Sequence, residues 1–357
     1  MIFVVAAIST SLPTCSAFNL TYPAVFNFGD SNSDTGGLVA GVAFPVGPPN
    51  GQNYFRKPSG RFCNGRLLVD FLSCNFVAGG STILPSTTPR TPFSFGIQVA
   101  QFIRFKARVL ELLTNDDYYL KMIMICLTEV TDLGLILGTK LQKYLPLENY
   151  FKQGLYMVDM GQNDLDGAFY FKSEDQVLDL SQKFCQNLRL ELRLLYGEGA
   201  RNFWIHNTGP FGCLPRIIAT FGKNESKLDQ LGCVGSHNRA AGLFNTQLHD
   251  LCASFRDQFA DANVTYVDIF SVKWNLISNF ASYGFKQPLA ACCGHGGPPL
   301  NFDSRIACGE TRILNGSKVT ESPCNNTAEY INWDGNHYTE AANRVVSEQV
   351  LAEIRMT

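Results

Sequence analysis

Four short apolar runs, each rich in the strand-favouring residues Val, Ile, Phe and Tyr, recur along the chain. They cover residues 24–28, 154–160, 202–206 and 264–269. Glycine-containing turns follow the first three runs, at Gly29, Gly161 and Gly209. The pattern predicts four buried strands with loops at their C-terminal ends.

Helical patterns separate these runs. The clearest begins with a capping box, Ser173-x-x-Gln176, continues with apolar residues every three or four positions, and stops at Gly197. A second spans 236–255, and a third starts near Thr339. Alternation of strand and helix is typical of the α/β class, in which a mostly parallel sheet is covered on both sides. Because neither a repeat nor a flexible linker interrupts the alternation, we predict one domain.

Composition narrows the class of protein. The 357 residues are 45% hydrophobic and 17% charged, with a formal net charge of -2. These values exclude a disordered chain, a coiled coil and a protein that binds nucleic acid through bulk positive charge. A compact, nearly neutral globular protein remains, and α/β domains of this length are common.

The first 17 residues have the pattern of a secretory signal peptide. An apolar stretch is followed by small residues at Cys15 and Ala17, the positions that signal peptidase favours, and we predict cleavage after Ala17. No Lys or Arg precedes the apolar stretch, so a buried N-terminal strand is the alternative. Residues 18–357 then form the predicted single domain.

Five Asn-x-Ser/Thr sequons agree with a secretory route and predict N-glycans. They stand at Asn19, Asn224, Asn263, Asn315 and Asn325. The internal apolar run 122–127 ends before Glu129, far short of the roughly 20 residues that span a bilayer. We therefore expect an extracellular or cell-wall location and no transmembrane segment.

The 12 cysteines indicate the same compartment. After loss of Cys15 most of the others are expected to pair as structural disulfides. Those in loop-rich neighbourhoods are Cys213, Cys233, Cys292, Cys293, Cys308 and Cys324. The odd number leaves one free thiol, for which Cys126 is the candidate. A metal site at Cys292–His295 is the competing hypothesis, but it lacks the spacing of a zinc site, so no metal or other cofactor is expected.

The first predicted strand leads into Gly29-Asp-Ser-Asn-Ser-Asp-Thr-Gly36, a run of small and polar residues. Such a loop can expose the hydroxyl of Ser31 and direct backbone N–H groups at an anion. Gly, Asp, Ser and Asn are also the commonest turn formers, so a simple turn is the alternative. Ser31 is the candidate nucleophile.

Two further motifs supply the partners that a nucleophilic serine needs. Asp334 and His337 are three residues apart just before the last predicted helix, so the carboxylate can orient the imidazole as a general base. Asn163 follows the second strand, at the same sheet edge as Ser31, where its amide can donate to a developing oxyanion. Taken singly, these motifs are a capping arrangement and an Asx turn. Together they predict a catalytic site.

Competing catalytic motifs are absent from the sequence. It contains no G-x-S-x-G, P-loop, G-x-G-x-x-G or H-E-x-x-H motif. Among the other histidines, His206 at a strand end is placed to line a cleft, whereas His237 and His249 fall in a helical pattern and are expected to be packing or polar-face residues.

These residues stand in blocks that resemble the plant GDSL esterase/lipases of the SGNH hydrolase superfamily. The blocks are Phe28–Gly36, Asp159–Asp164 and Trp333–Asn343, with further similarity in Pro58–Arg66, His206–Leu214 and Ala291–Pro299. The resemblance covers the chain nearly end to end. It implies a three-layer α/β/α sandwich and hydrolysis of small-molecule or lipid esters through an acyl-enzyme on Ser31, with the Asp334–His337 pair as base.

The sequence departs from this family at one oxyanion donor. The resemblance implies three donors: the Ser31 N–H, the Asn163 side chain and a glycine N–H, but Ser73 stands at the glycine position. Ser73 can replace it if its backbone conformation allows, since a backbone N–H does not need glycine to donate. Loss of this donor is expected to lower turnover by roughly 10²-fold or more.

Two length differences accompany this departure. A segment near 72–73 is missing, and the shorter connection is expected to pull Asn75 and Phe76 away from the cleft. An apolar stretch unlike the family is inserted at about 115–140.

The leading hypothesis is therefore a secreted serine esterase/lipase. One alternative is a catalytically impaired family member that binds cell-wall glycan or lipid through the same cleft, and another is a glycosidase-like relative. Glycoside cleavage usually needs two carboxylates that flank the bond. Asp30 and Asp34 are better interpreted as loop formers, which favours ester hydrolysis.

Overall fold

The structure, a computed structural model, describes residues 22–71, 75–85, 91–114 and 145–354. The predicted signal peptide, Asn19, Ser73, Cys126 and the 115–140 insertion lie outside these ranges. What the sequence predicts for them stays a prediction.

A four-stranded parallel sheet forms the centre of the described chain. Its strands are β1 (Val25–Gly29), β2 (Leu155–Asp159), β3 (Asn202–His206) and β4 (Asn263–Val267), hydrogen-bonded in that order. Gly29 pairs with Asp159, and Asp159 with His206, so the carboxyl ends of the strands meet at one edge. This confirms the predicted α/β class. It also gathers the loops at the edge where ligands usually bind in such folds.

The strands form because they are short, uninterrupted apolar runs that the sheet buries on both faces. All five residues of β1 are buried. Phe26 packs on Tyr156 with ring centroids 5.0 Å apart, and Phe28 packs on Phe102 at 5.9 Å. This aromatic core anchors β1 and therefore the loop that carries Ser31.

Helices cover both sides of the sheet. They are α1 (Gly37–Val42), α2 (Phe95–Thr114), α3 (Tyr150–Gln153), α4 (Gln162–Phe169), α5 (Glu174–Gly197), α6 (Pro215–Phe221), α7 (Gly235–Gln258), α8 (Ile269–Ser278) and α9 (Glu340–Ile354). The predicted capping box begins α5: Ser173 Oγ accepts from the Gln176 N–H, and Gln176 Oε1 accepts from the Ser173 N–H. Across the described ranges, no helix is long and apolar enough to cross a membrane.

Two short strand pairs shape the chain before α9. β5 (Gln287–Ala291) pairs in parallel with β8 (Tyr330–Asn332), and β6 (Thr311–Leu314) forms an antiparallel hairpin with β7 (Ser317–Thr320). Trp333 follows β8, is fully buried, and donates from Nε1 to Asn50 Oδ1 at 2.9 Å. This anchor fixes the start of the turn that carries Asp334 and His337.

Three disulfides join the six loop cysteines that the sequence singled out. The pairs are Cys213–Cys233, Cys292–Cys324 and Cys293–Cys308. Three described cysteines are free, Cys63, Cys185 and Cys252, so the expectation of a single unpaired thiol is wrong. All three are buried, and burial raises the pKa of the Cys185 and Cys252 thiols to about 12. They behave as small apolar residues of the interior.

Candidate active site

The nucleophile loop begins where β1 leaves the sheet. Gly29 ends the strand in a confined space, because a Cβ atom there would lie 2.8 Å from Ser33 Oγ. The buried Asp30 carboxylate then accepts from the backbone and side-chain N–H groups of Asn32, at 2.9 and 3.0 Å. These contacts close the turn around Ser31, which remains partly exposed.

Asp34 stabilises the C-terminal part of the same loop through hydrogen bonds. Its carboxylate accepts from three successive N–H groups around the start of α1, those of Gly36, Gly37 and Leu38, at 2.5 to 3.1 Å. It also accepts from the Gly79 N–H at 2.7 Å, which ties the loop to the neighbouring segment. Asp34 therefore has a structural part in the loop.

The structure brings the three predicted catalytic side chains together. Ser31 Oγ lies 2.8 Å from His337 Nε2. His337 Nδ1 lies 2.8 and 3.0 Å from the two carboxylate oxygens of Asp334. Asp334 Oδ1 also accepts from the N–H groups of Asn336 and His337, so the turn itself holds the carboxylate. Hydroxyl, imidazole and carboxylate stand in the order in which a serine hydrolase uses them.

The charge of Asp334 supports this order. Burial opposes ionisation, but the neighbouring His337 and the hydrogen bonds of the turn outweigh it and hold the pKa of the Asp334 carboxyl below its usual value. An ionised Asp334 keeps the proton on Nδ1 of His337. The Nε2 lone pair is then free to accept from the Ser31 hydroxyl.

Asn163 stands in the first turn of α4, beside the nucleophile loop. Gly161, with φ 126, leads into this helix, and a Cβ atom there would lie 2.7 Å from the Phe244 ring. Asn163 Nδ2 donates to Asp30 Oδ2 at 2.9 Å and to the Ser81 carbonyl oxygen at 3.0 Å. Both amide hydrogens are engaged, so the predicted oxyanion role requires one of them to be released when substrate binds.

The shorter connection does not displace Asn75 and Phe76, and that prediction is wrong. Asn75 forms a parallel bridge with Asn27 of β1, and its Nδ2 donates to Thr35 Oγ1 at 3.1 Å. The Phe76 N–H donates to the Asn27 carbonyl oxygen at 2.9 Å, and its ring stacks on Phe28. Hydrogen bonds and aromatic packing against β1 hold the segment independently of the connection before it.

The backbone N–H groups of Ser31 and Gly80 are among those near the site that have no hydrogen-bond partner within the described part of the chain. Gly80 lies between Gly79 and Ser81, and both of these neighbours are hydrogen-bonded to the loops of the site. Its φ of 76 is a conformation that favours glycine. The sequence interpretation centred on Ser73, outside the described ranges, and missed Gly80. The adjacent Gly-Gly-Ser run was the available signal.

Two side chains at the site were not predicted. The Phe62 ring stacks on the His337 imidazole, with centroids 5.0 Å apart. Arg216 of α6 donates from Nε to Asn336 Oδ1 and from Nη2 to Asp166 Oδ2, and so joins the catalytic turn to α4. Phe62 belongs to one of the family-like blocks, which was a usable signal. Arg216 acts through contacts distant in sequence, which no local pattern shows.

Ionisable groups also gather at the carboxyl edge of the sheet, beside the loop that carries Ser31. Burial raises the pKa of Asp30. Burial, reinforced by the charge of Asp30, raises the pKa of Asp159 to about 7. Burial lowers the pKa of Lys273 on α8, whose Nζ lies 4.9 Å from the Tyr338 ring centroid. The cation lies close enough to both carboxylates to oppose their mutual repulsion.

The surroundings of the other candidate residues indicate structural roles and not catalytic ones. His206 is 3% exposed, and burial, followed by the charge of Lys273, lowers its pKa to about 3. A neutral, buried ring at this place gives no support to substrate contact. Cys292 and Cys293 are both in disulfides and cannot act as thiolate ligands, while His295 Nδ1 lies 2.9 Å from Glu321.

A parallel α/β sheet that presents Ser31, His337 and Asp334 in this arrangement at its carboxyl edge is typical of serine hydrolases. The family model of GDSL-like lipases and acylhydrolases matches residues 25–350. The chain belongs to this family, which confirms the resemblance of its sequence blocks.

Related proteins are similar to this chain along nearly its whole length. GDSL esterase/lipase At1g54790 of Arabidopsis thaliana is 47% identical, with 98% of this chain and 93% of that protein covered. GDSL esterase/lipase At3g05180 of the same plant is 46% identical, with 98% and 94% covered. A third Arabidopsis relative, named Alpha-L-fucosidase 3, is 35% identical, with 98% and 95% covered. A Bacteroides fragilis protein of known structure matches 93% of this chain and 86% of its own at 14% identity, and its TM-score of 0.32 is too low to carry an argument.

Proposed function

We propose that this protein is a carboxylic ester hydrolase that works through an acyl-enzyme on Ser31. The observation that carries the proposal is the 2.8 Å distance between Ser31 Oγ and His337 Nε2, with Asp334 on the other ring nitrogen. Membership of a lipase and acylhydrolase family supports the same class of reaction.

In the first half of the reaction, Ser31 Oγ attacks the ester carbonyl carbon while His337 Nε2 takes the hydroxyl proton. The tetrahedral intermediate collapses as His337 gives this proton to the alcohol oxygen, the bond between carbonyl carbon and alcohol oxygen breaks, and the alcohol leaves. A water molecule then gives a proton to His337 and attacks the acyl-enzyme. The carboxylic acid leaves as Ser31 regains its proton, and Asp334 stabilises the imidazolium in both halves.

The negative charge on the carbonyl oxygen needs hydrogen-bond donors. We assign this part to the N–H groups of Ser31 and Gly80, which have no partner within the described ranges. Asn163 Nδ2 joins them if substrate displaces one of its contacts with Asp30 and Ser81. Each such donor is worth about 10² to 10³ in kcat in other hydrolases, so two or three suffice for a working site.

A serine-reactive phosphonate and short p-nitrophenyl esters test the proposal. We expect wild-type protein to be labelled and to cleave the esters, and we expect Ser31→Ala to do neither. Ser33→Ala is the matched control, because Ser33 is a buried serine of the same loop whose hydroxyl has no hydrogen-bond partner. If Ser31→Ala behaves like wild type in both assays, the proposal is wrong.

The protein is further proposed to be secreted and N-glycosylated. Three disulfides support an oxidising compartment. Four sequon asparagines are exposed, as a glycan requires, namely Asn224, Asn263, Asn315 and Asn325. A fall in mass after treatment of the plant-expressed protein with an N-glycosidase would support this proposal, and full-length protein without glycans in the cytosol would contradict it.

Two alternatives give distinct results in the same experiments. The relative named Alpha-L-fucosidase 3 favours a test of glycoside cleavage. The loop carboxylates of Asp30 and Asp34 are already bound by N–H groups, which disfavours them as the two carboxylates of a glycosidase. Cleavage of p-nitrophenyl fucoside by a variant lacking Ser31 would reverse this assignment. A protein that resists the phosphonate but melts at higher temperature with wall oligosaccharides would be a binding protein instead.

A further inference from the structure

Phe62 occupies a place beside the acid–base pair that the reaction itself does not explain. Its ring stacks on the His337 imidazole, with centroids 5.0 Å apart and planes at 23°. It also reaches the neighbouring segment, since a Cβ atom on Gly79 would lie 2.9 Å from Phe62 Cε2. Phe62 is partly exposed. It therefore borders the space next to the imidazole.

Phe44 extends this aromatic surface away from the imidazole. Its ring centroid lies 5.9 Å from that of Phe62, and Phe44 is 42% exposed. Phe44 follows Ala43, which holds a left-handed backbone conformation with φ 56 at the end of α1. Such a conformation is unfavourable for a residue other than glycine and is often associated with functional sites. We call Phe44 and Phe62 the aromatic pair.

The path of the proton during acylation indicates whether the alcohol half or the acyl half of an ester contacts the aromatic pair. During acylation the proton on His337 Nε2 must reach the oxygen of the leaving alcohol, so the alcohol half has to lie against the imidazole. The acyl half stays bonded to Ser31 Oγ. Because Phe62 is stacked on the imidazole, it lies on the side of the alcohol.

We propose that the aromatic pair is a subsite for the leaving group, and that this protein prefers esters of aromatic or long-chain alkyl alcohols. The proposal rests on the proposed ester hydrolysis and names the part of the substrate that is recognised. An apolar alcohol covers the exposed surface of Phe44 and the ring of Phe62, and removal of this surface from water favours binding. The contact exists only while the alcohol is attached, so its effect belongs to acylation and is measured in kcat/KM.

Two series of esters separate the alcohol half from the acyl half. One keeps the acetyl group and changes the alcohol from methyl to hexyl and benzyl, and the other keeps the methyl alcohol and lengthens the acyl group to hexanoyl. For the wild type we expect kcat/KM, followed by acid release, to rise about tenfold or more along the alcohol series. Phe44→Ser and Phe62→Leu flatten this rise. Leu190→Ser removes another exposed apolar side chain, on α5, and leaves the rise unchanged.

The opposite results are equally clear. Variants that flatten the acyl series and leave the alcohol series unchanged would assign the aromatic pair to the acyl half, and variants that flatten neither would make it structural only. Both outcomes overturn the proposal. Phe44 is exposed, so Phe44→Ser decides the matter even if Phe62→Leu does not fold. Wild-type cleavage of methyl acetate without preference for longer alcohols refutes the subsite alone, whereas no cleavage of any ester refutes the proposed function.

Discussion

The carboxylate of Asp334 has two separate parts in the turn that carries His337. It accepts from the backbone N–H groups of Asn336 and His337, which shapes the turn, and from His337 Nδ1, which selects the tautomer. An asparagine keeps one oxygen acceptor for the turn. It also places an NH2 group, which donates and cannot accept a hydrogen from Nδ1, where the second carboxylate oxygen stands. A single substitution therefore separates the two roles.

We predict that Asp334→Asn lowers kcat by about 10³ to 10⁴-fold and changes KM little, because the imidazole then holds the wrong tautomer in an otherwise intact site. Steady-state hydrolysis of a p-nitrophenyl ester gives both constants. Asp303→Asn is the matched control, since that carboxylate pairs with Arg305 and not with His337. An Asp334→Asn variant within a few-fold of wild type would show that the carboxylate does not act on His337 in catalysis.

At the scale of elements, the site depends on contacts between segments far apart in the sequence. Arg216 of α6 donates from Nη2 to Asp166 of α4 at 2.5 Å and from Nη1 to the Tyr170 hydroxyl at 2.5 Å. Its Nε donates to Asn336, and its backbone N–H donates to the Gly335 carbonyl oxygen at 3.0 Å. One guanidinium thereby holds the turn of Asp334 and His337 against the helix that carries Asn163.

Arg216 is a positioning residue, and its planar guanidinium is what a lysine cannot replace. We predict that Arg216→Lys lowers kcat by about 10 to 100-fold with little change in KM, because displacement of catalytic groups by about 1 Å costs this much. The rate of phosphonate labelling should fall in parallel. Arg239→Lys is the control, because the Arg239–Glu174 ion pair is a surface contact, and it should leave kcat unchanged. A lower melting temperature with unchanged kcat would make Arg216 a stabilising residue only.

The difference between local signals and contacts of distant segments explains what the sequence could predict. The four strands were predicted from apolar runs that end in turns, and the start of α5 was predicted from its capping box. These signals are local in the sequence, so they do not depend on how distant segments pack. β6 and β7 were missed because they are short and largely exposed, without an apolar run. The contacts of Asn163 and Arg216 were missed because they join distant segments. Which cysteines stay free depends on their burial in the fold, whereas the sequence shows only the total number of cysteines.

At the scale of the whole molecule, the parallel sheet concentrates charge at one edge. Every strand ends at this edge, and the chain places Asp30 after β1, Asp159 at the end of β2 and His206 at the end of β3. Lys273 of α8 lies among them. The architecture that assembles the catalytic loops thus also buries carboxylates, and part of the free energy of unfolding should depend on pH for that reason.

The pKa of Asp159 determines whether the free energy of unfolding rises or falls with pH. Its pKa is about 7 in the folded protein, compared with an ordinary value of 3.8. Between these values the folded protein keeps a proton that the unfolded chain has released, so the free energy of unfolding falls as pH rises through this window. We predict that Asp159→Asn equals wild type at about pH 4 and is more stable by on the order of 4 kcal/mol at about pH 8, as measured by urea unfolding.

Asp303→Asn should behave in the opposite way. Hydrogen bonds from Arg305 lower the pKa of Asp303 to about 2, so its ionised form stabilises the folded protein above the ordinary value of 3.8, and this contribution is lost as pH falls through the folded value. Replacement should therefore lower stability at neutral pH, where the replacement of Asp159 raises it. If Asp159→Asn instead lowered stability at every pH, Lys273 would hold the Asp159 carboxylate ionised, and the buried edge would be stabilised by the ion pair.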